Sequence, residues 1–214
     1  MYQQKDGYHR MAKKEGYKSR ASFKLIQLNK KFNIIKKGYS VLDLGAAPGG
    51  WMQIASTLVG DTGLVVGVDL KNVKEKFPNS YFVQGDIFES STIDKIKEIK
   101  KEYDAIISDL APNTSGIRSL DHEKSIDLCY RALDLSSNFL QYKGNLLIKL
   151  FQGEYTKELV DDIKNEFYYV KISKPESSRS SSRETYIVCK GFKKRKLKIE
   201  DTELTEESTY NFKC

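Results

Sequence analysis

The sequence predicts an α/β fold: a single domain with a mostly parallel sheet and helices on both faces. Three observations predict it. Short, nearly continuous apolar runs alternate with stretches of helical periodicity, the pattern of strands buried on both sides. Four of those runs end in an acid, at Asp43, Asp69, Asp86 and Asp109. The first run leads into Gly45-Ala46-Ala47-Pro48-Gly49-Gly50, after which Met52, Ile54, Ala55 and Leu58 take up helical spacing. That order reads as strand, tight turn, helix.

Taken in order, residues 1–16 form a polar, basic lead-in. A helix is expected from Ser19, as N-cap, with Ala21, Leu25, Leu28 and Phe32 on one stripe and Gly38 closing the element. Lys24 lies about 40° from Leu28 on that helix, near its buried edge. Strands are expected at 41–44, 64–70, 81–87, 103–109, 144–150, 168–172 and 184–190, seven in all. Helices are expected at 91–101, 121–141 and 155–167, the long one burying Leu128, Leu133, Leu135 and Leu140. No linker or repeat divides the chain. The expected organisation is a lead-in over 1–18, one domain over 19–192 and a charged tail over 193–214.

A chain of 214 residues with 39% hydrophobic content can build one such core. No apolar run approaches a membrane span, so no membrane role is expected. Three scattered cysteines without CxxC spacing suggest reduced thiols in an intracellular protein. The net charge of +7 is unevenly distributed. Residues 1–37 hold eleven Lys/Arg against Asp6 and Glu15, and residues 174–198 hold nine against Glu176 and Glu184. Two basic blocks interleaved with serine and aromatic residues can meet as one patch for RNA phosphates.

The strand-end acids mark the ligand crevice of an open α/β sheet. The loop breaks the G-x-G-x-x-G dinucleotide spacing and is followed by no Walker lysine, which disfavours pyrophosphates and triphosphates. Asp69, 24 residues beyond Gly45, can bind a ribose diol. A nucleoside without phosphates fits S-adenosylmethionine. Asp69 and Leu70 would take its ribose, Asp86 and Ile87 its adenine amine. Asp43, Gly45, Ala46, Pro48, Gly49, Gly50 and Trp51 would cradle the methionine end, with Asp109 facing the sulfonium. Trp51 also suits core packing at the start of its helix.

Several blocks resemble one known family. They are Ser19-Arg20-Ala21-Ser22-Phe23-Lys24-Leu25, Asp43 through Trp51, Ser108-Asp109-Leu110-Ala111-Pro112-Asn113, Ile148-Lys149-Leu150-Phe151-Gln152-Gly153, and Lys174 to Tyr186. Together, and in this order, they resemble the FtsJ/RrmJ ribose 2′-O-methyltransferases over residues 8–192. The resemblance implies a Rossmann-like domain dependent on S-adenosylmethionine, with an antiparallel last strand. It also implies a catalytic tetrad of Lys24, Asp109, Lys149 and Glu184. Asp109 and Lys149 end parallel strands, and Glu184 reaches the same edge if its strand is antiparallel. Lys149 is the expected group for taking the hydroxyl proton or stabilising the alkoxide. Lys24 supplies a neighbouring charge that lowers a lysine pKa, and the carboxylates hold both lysines.

The implied substrate is RNA: a uridine of large-subunit ribosomal RNA, as free RNA or assembled subunit, with the tRNA anticodon loop as runner-up. A non-catalytic RNA-binding relative that retains the fold is the alternative of a different class, and a nicotinamide oxidoreductase, which would bind NAD and not respond to the methyl donor, is the third reading. A monomer without metal is expected, in cytoplasm, nucleolus or mitochondrion alike. Asp121-His122-Glu123 suits helix capping better than metal binding, and His9 suits solvent or RNA.

Overall fold

The computed structural model describes residues 7–179 and 182–193. The tail beyond Lys193, with Cys214 and the basic residues 194–198, lies outside the described residues, as do residues 1–6 and the side chain of His9. The element order is α1 (Gly7–Lys14), α2 (Ala21–Phe32), β1 (Ser40–Leu44), α3 (Gly50–Val59), β2 (Leu64–Asp69), β3 (Ser80–Gln84) and α4 (Ser90–Ile99). It continues with β4 (Tyr103–Ser108), α5 (Arg118–Phe139), β5 (Leu140–Phe151), α6 (Thr156–Glu166), β6 (Phe167–Ser173) and β7 (Glu184–Phe192). The strands form one sheet in the order β3-β2-β1-β4-β5-β7-β6. The first five strands run parallel, and β7 is antiparallel to both β5 and β6. The expected seven-stranded, mostly parallel sheet is therefore the observed one.

Because successive strand side chains point to opposite faces, each central strand feeds two apolar layers. Leu42, Leu44, Ile106, Leu146, Ile148 and Ile187 pack with α5 and α6. Val41, Ala105, Ile107, Leu147, Tyr186 and Val188 pack with α2 and α3. All five residues of β1 are buried, so Asp43 enters the centre of the molecule with them.

The basic lead-in contains α1, which buries Ala12 and sets the Tyr8 ring 5.5 Å from Phe23. Three expectations are corrected. Ser19 does not cap α2; Arg20 occupies that position without a side-chain cap, and the Ser19 carbonyl accepts the Ser22 N–H instead. Asn33, left-handed at φ 53°, closes the helix rather than Gly38, which lies in the turn before β1. In α5, Leu128 and Leu133 are only half-buried, while Ile126, Cys129, Ala132, Leu135 and Phe139 face the core. Hydrophobicity picked the leucines, but a one-residue shift turns a helical side chain by about 100°. Leu140 is buried but already belongs to β5.

Candidate active site

The parallel sheet sets the acids in a row. Asp86, Asp69, Asp43 and Asp109 belong to β3, β2, β1 and β4 or the residues just beyond them, four neighbouring strands at one carboxyl edge. Lys149 on β5 and Glu184 on β7 continue the row. With strands about 4.8 Å apart, the acids span about 14 Å before the first lysine is reached.

Asp43 is fully buried, and neither carboxylate oxygen has a hydrogen-bond partner among the described residues. Burial, with the charges of Asp109 and Asp69 close by, pushes its carboxyl well above the usual range. A buried acceptor pair left open in this way asks for a cation or a donor from outside the chain. Asp69 already accepts the Ala47 N–H at 2.9 Å and the Lys71 N–H at 2.8 Å, so it shapes the loop while keeping lone pairs for a diol. Asp86 accepts the Phe88 N–H at 2.9 Å and fixes the turn into α4. Exposed Leu70 and Phe88 flank this end of the row.

The glycines of the loop also let it pack closely against the rest of the chain. A Cβ at Gly45, where φ is +81°, would come within 3.0 Å of the Leu110 backbone. At Gly49, where φ is +104°, it would press on Phe77 and Val73, and at Gly50 it would strike the Ser19 hydroxyl. They let the protein close around its own loop. Ser22 of α2 donates to the Gly50 carbonyl at 3.1 Å, which ties that helix to the turn. Trp51 goes to the core: its indole N–H donates to Ala21 O at 2.9 Å and its ring lies 5.7 Å from Tyr186. Ala46 is buried, and the Ala47–Pro48 bond is cis.

Lys24, Asp109, Lys149 and Glu184 come together. Lys24 Nζ lies 2.5 Å from Glu184 Oε1, and Lys149 Nζ lies 3.4 Å from Asp109 Oδ1 and 3.6 Å from Glu184 Oε2. Lys24 is only 5% exposed, as its place beside the apolar stripe foretold. Burial acts to raise the Glu184 carboxyl, but Lys149, Lys24 and the Ser178 hydroxyl at 3.1 Å outweigh it and hold it below its ordinary value. Tyr186 and Ser178 received no role from the sequence. The Tyr186 hydroxyl, fully buried, donates to Asp109 Oδ1 at 2.8 Å and lies 3.4 Å from Glu184 Oε1, bridging the two carboxylates. Its signal was present: two residues after Glu184 on one strand means the same face.

Asp121 accepts from Ser115 N, Ser115 Oγ and Gly116 N, so it fastens the loop ahead of α5. Those bonds hold its carboxyl below the usual range, the Ser115 N–H foremost. Buried His122 has Nδ1 2.7 Å from Phe151 O and accepts the Tyr155 N–H at Nε2, 3.0 Å away. His122 thus supports the end of β5, and Asp121 the loop ahead of α5.

Comparison with known proteins agrees with this geometry. The family model described as "FtsJ-like methyltransferase" matches residues 17–192. A protein of Methanothermobacter thermautotrophicus named ribosomal RNA large subunit methyltransferase E is 50% identical over 192 residues, 88% of this chain and 90% of the relative. Its namesake in Methanocaldococcus jannaschii is 44% identical, over 94% of this chain and 84% of the relative. A crystal structure of a Plasmodium falciparum protein titled as a ribosomal RNA methyltransferase superposes with a TM-score of 0.74 at 33% identity. It covers 84% of this chain and the whole of that one.

Proposed function

The chain belongs to the FtsJ-like methyltransferase family, and on that premise we propose that it methylates a ribose 2′-hydroxyl of RNA, a uridine of large-subunit ribosomal RNA, using S-adenosylmethionine. The observation that carries this reading is the junction of an acidic row at the strand ends with a two-lysine, two-carboxylate cluster, in which Asp109, Lys149 and Glu184 come from adjacent strands and Lys24 from α2. The relatives' names supply the RNA.

The residues fit the cofactor. Asp43, buried and without a hydrogen-bond partner among the described residues, suits the cationic methionine end, Asp69 the ribose diol, and Asp86 with the Ile87 backbone the adenine. When bound, S-adenosylmethionine supplies an electrophilic methyl group on a sulfonium. The chain's own task is then to hold a ribose hydroxyl in line and manage its proton. Lys149, beside Asp109, takes that proton or stabilises the alkoxide. Lys24 orients the hydroxyl, and Glu184 grips both lysines so that neither swings away. Tyr186, donating to Asp109, keeps that carboxylate turned towards Lys149.

The test is methyl transfer from labelled S-adenosylmethionine to isolated large ribosomal subunits, their extracted RNA and tRNA, in parallel. Label in the ribosomal RNA is expected. Label in tRNA alone would overturn the substrate, and none in any RNA would overturn the activity.

A further inference from the structure

We infer that the groove between α2 and the β6–β7 edge is the track for the single-stranded RNA running away from the target nucleotide. This rests on the reading of the protein as an RNA methyltransferase and adds a path for the strand.

One wall is α2, whose residues Lys24, Gln27 and Lys31 succeed one another by three and four positions and so share one side of the helix. Lys24 belongs to the tetrad, so the groove begins one turn from the reacting centre. Gln27 Oε1 accepts from both the N–H and the hydroxyl of Ser177, at 3.0 and 2.9 Å. The neighbouring Ser178 hydroxyl reaches Glu184. The loop over the groove's upper end is thus pinned to the helix on one side and the tetrad on the other.

The floor is the sheet edge. Tyr169, Lys171 and Ser173 of β6 pair with Lys190, Val188 and Tyr186 of β7. Directly paired residues share a face, and Tyr186 and Val188 belong to the layer under α2. The same face of β6 therefore presents Tyr169, Lys171 and Ser173. The upper hollow is lined by Gln27, Lys30, Lys31 and Ser173, with Glu176 as its acid, and the lower hollow by Lys31, Tyr168, Tyr169 and Lys190. Lys31 lines both, which makes them one groove.

Lys30, Lys31, Lys171 and Tyr169 are exposed, although Tyr169 is aromatic and lies on a strand. A line of cations with an aromatic face is what a sequence-tolerant single-strand site uses: charges for successive phosphates and a ring for a base. From Tyr169 to Ser173 the strand runs about 13 Å, enough for roughly four stacked nucleotides at ~3.4 Å each. A duplex would not fit this use, because its bases offer no free face to Tyr169.

The experiment is fluorescence anisotropy of a short labelled oligouridine across a salt series, alongside methyl transfer to large-subunit RNA. The variants are Lys31→Glu/Lys171→Glu, Tyr169→Ala, and a control of equal charge, Lys95→Glu/Lys97→Glu on α4 at the far edge of the sheet. The groove pair should weaken binding at least about tenfold. It should also flatten the salt slope by about 1.4, two phosphate contacts at ~0.7 each. Tyr169→Ala should cost at least about fivefold. S-adenosylmethionine affinity and the melting temperature should stay at wild-type values. Binding and slope unchanged from wild type, or changed equally by the control pair, would overturn the track even if RNA is methylated. If the groove pair weakens binding while no RNA is methylated, the track stands and the methyltransferase reading falls.

Discussion

At Asp43 two carboxylate oxygens are shut away from water with no donor from the described chain facing them. Ionising that group inside the free protein is costly, and an arriving cation removes the cost. S-adenosylmethionine should therefore bind more tightly as pH rises towards the raised Asp43 pKa, and below it binding should release a proton. Calorimetry in buffers of different ionisation heat reads both. Asp43→Asn should abolish the release and weaken binding by about 2 kcal/mol or more. The stability effects of two site acids run in opposite directions. The raised Asp43 pKa means the native state keeps a proton that the unfolded chain loses, so this residue destabilises the free protein as pH rises above the ordinary aspartate range. The lowered Glu184 pKa contributes stability that is present above the ordinary glutamate value and lost as pH falls through the native one. Urea denaturation from pH 3 to 7 should show Glu184→Gln with a shallower loss on the acid side. Lys24, Asp109, Lys149 and Glu184 were legible because each sits in a distinctive local motif. The spacing of Tyr186 from Glu184 gave its face but not its bond to Asp109, and nothing gave the isolation of Asp43, because what faces a side chain across 77 residues is decided only when the sheet closes.

Element by element, α2 carries more than its length suggests. It delivers Lys24 to the tetrad, seats Trp51 through Ala21, receives Ser177 on Gln27 and closes on the turn at Gly50. Its contact with that turn is tight enough to test. Gly50→Ala should destabilise the fold by about 1–3 kcal/mol through overpacking, seen as a fall in Tm of about 2–4 °C per kcal/mol for a chain of this size. Ser19→Ala, which removes the hydroxyl in the way, should recover part of that loss in the double variant. An additive double variant would show that the contact is not the cause. Strand positions were readable because the runs are apolar on both faces, and β1 to β5 all appear within a few residues of expectation. Helix ends were less so. Ser19 looks like a cap but lies one residue too early, and α1 buries too little apolar surface to announce itself.

Across the whole molecule, function follows from strand order. The parallel strands bring Asp86, Asp69, Asp43 and Asp109 to one edge, and the antiparallel β7 returns Glu184 to it opposite Phe151. In the proposed reaction neither half acts without the other: the acids would hold a cationic methyl donor, and the lysines the hydroxyl that receives it. Lys149→Ala should accordingly lower the rate of methyl transfer by about 10²–10⁴-fold, the range for a lost acid–base group, with cofactor affinity and Tm near wild type. An unchanged rate would remove Lys149 from the mechanism. The most direct measurement is where the methyl group goes. Large-subunit RNA treated with the wild-type protein and S-adenosylmethionine, digested to nucleosides and resolved by mass spectrometry, should yield 2′-O-methyluridine, and the Lys149→Ala protein should yield almost none. A methyl group found on a base, or on a ribose to the same extent with both proteins, would contradict the account.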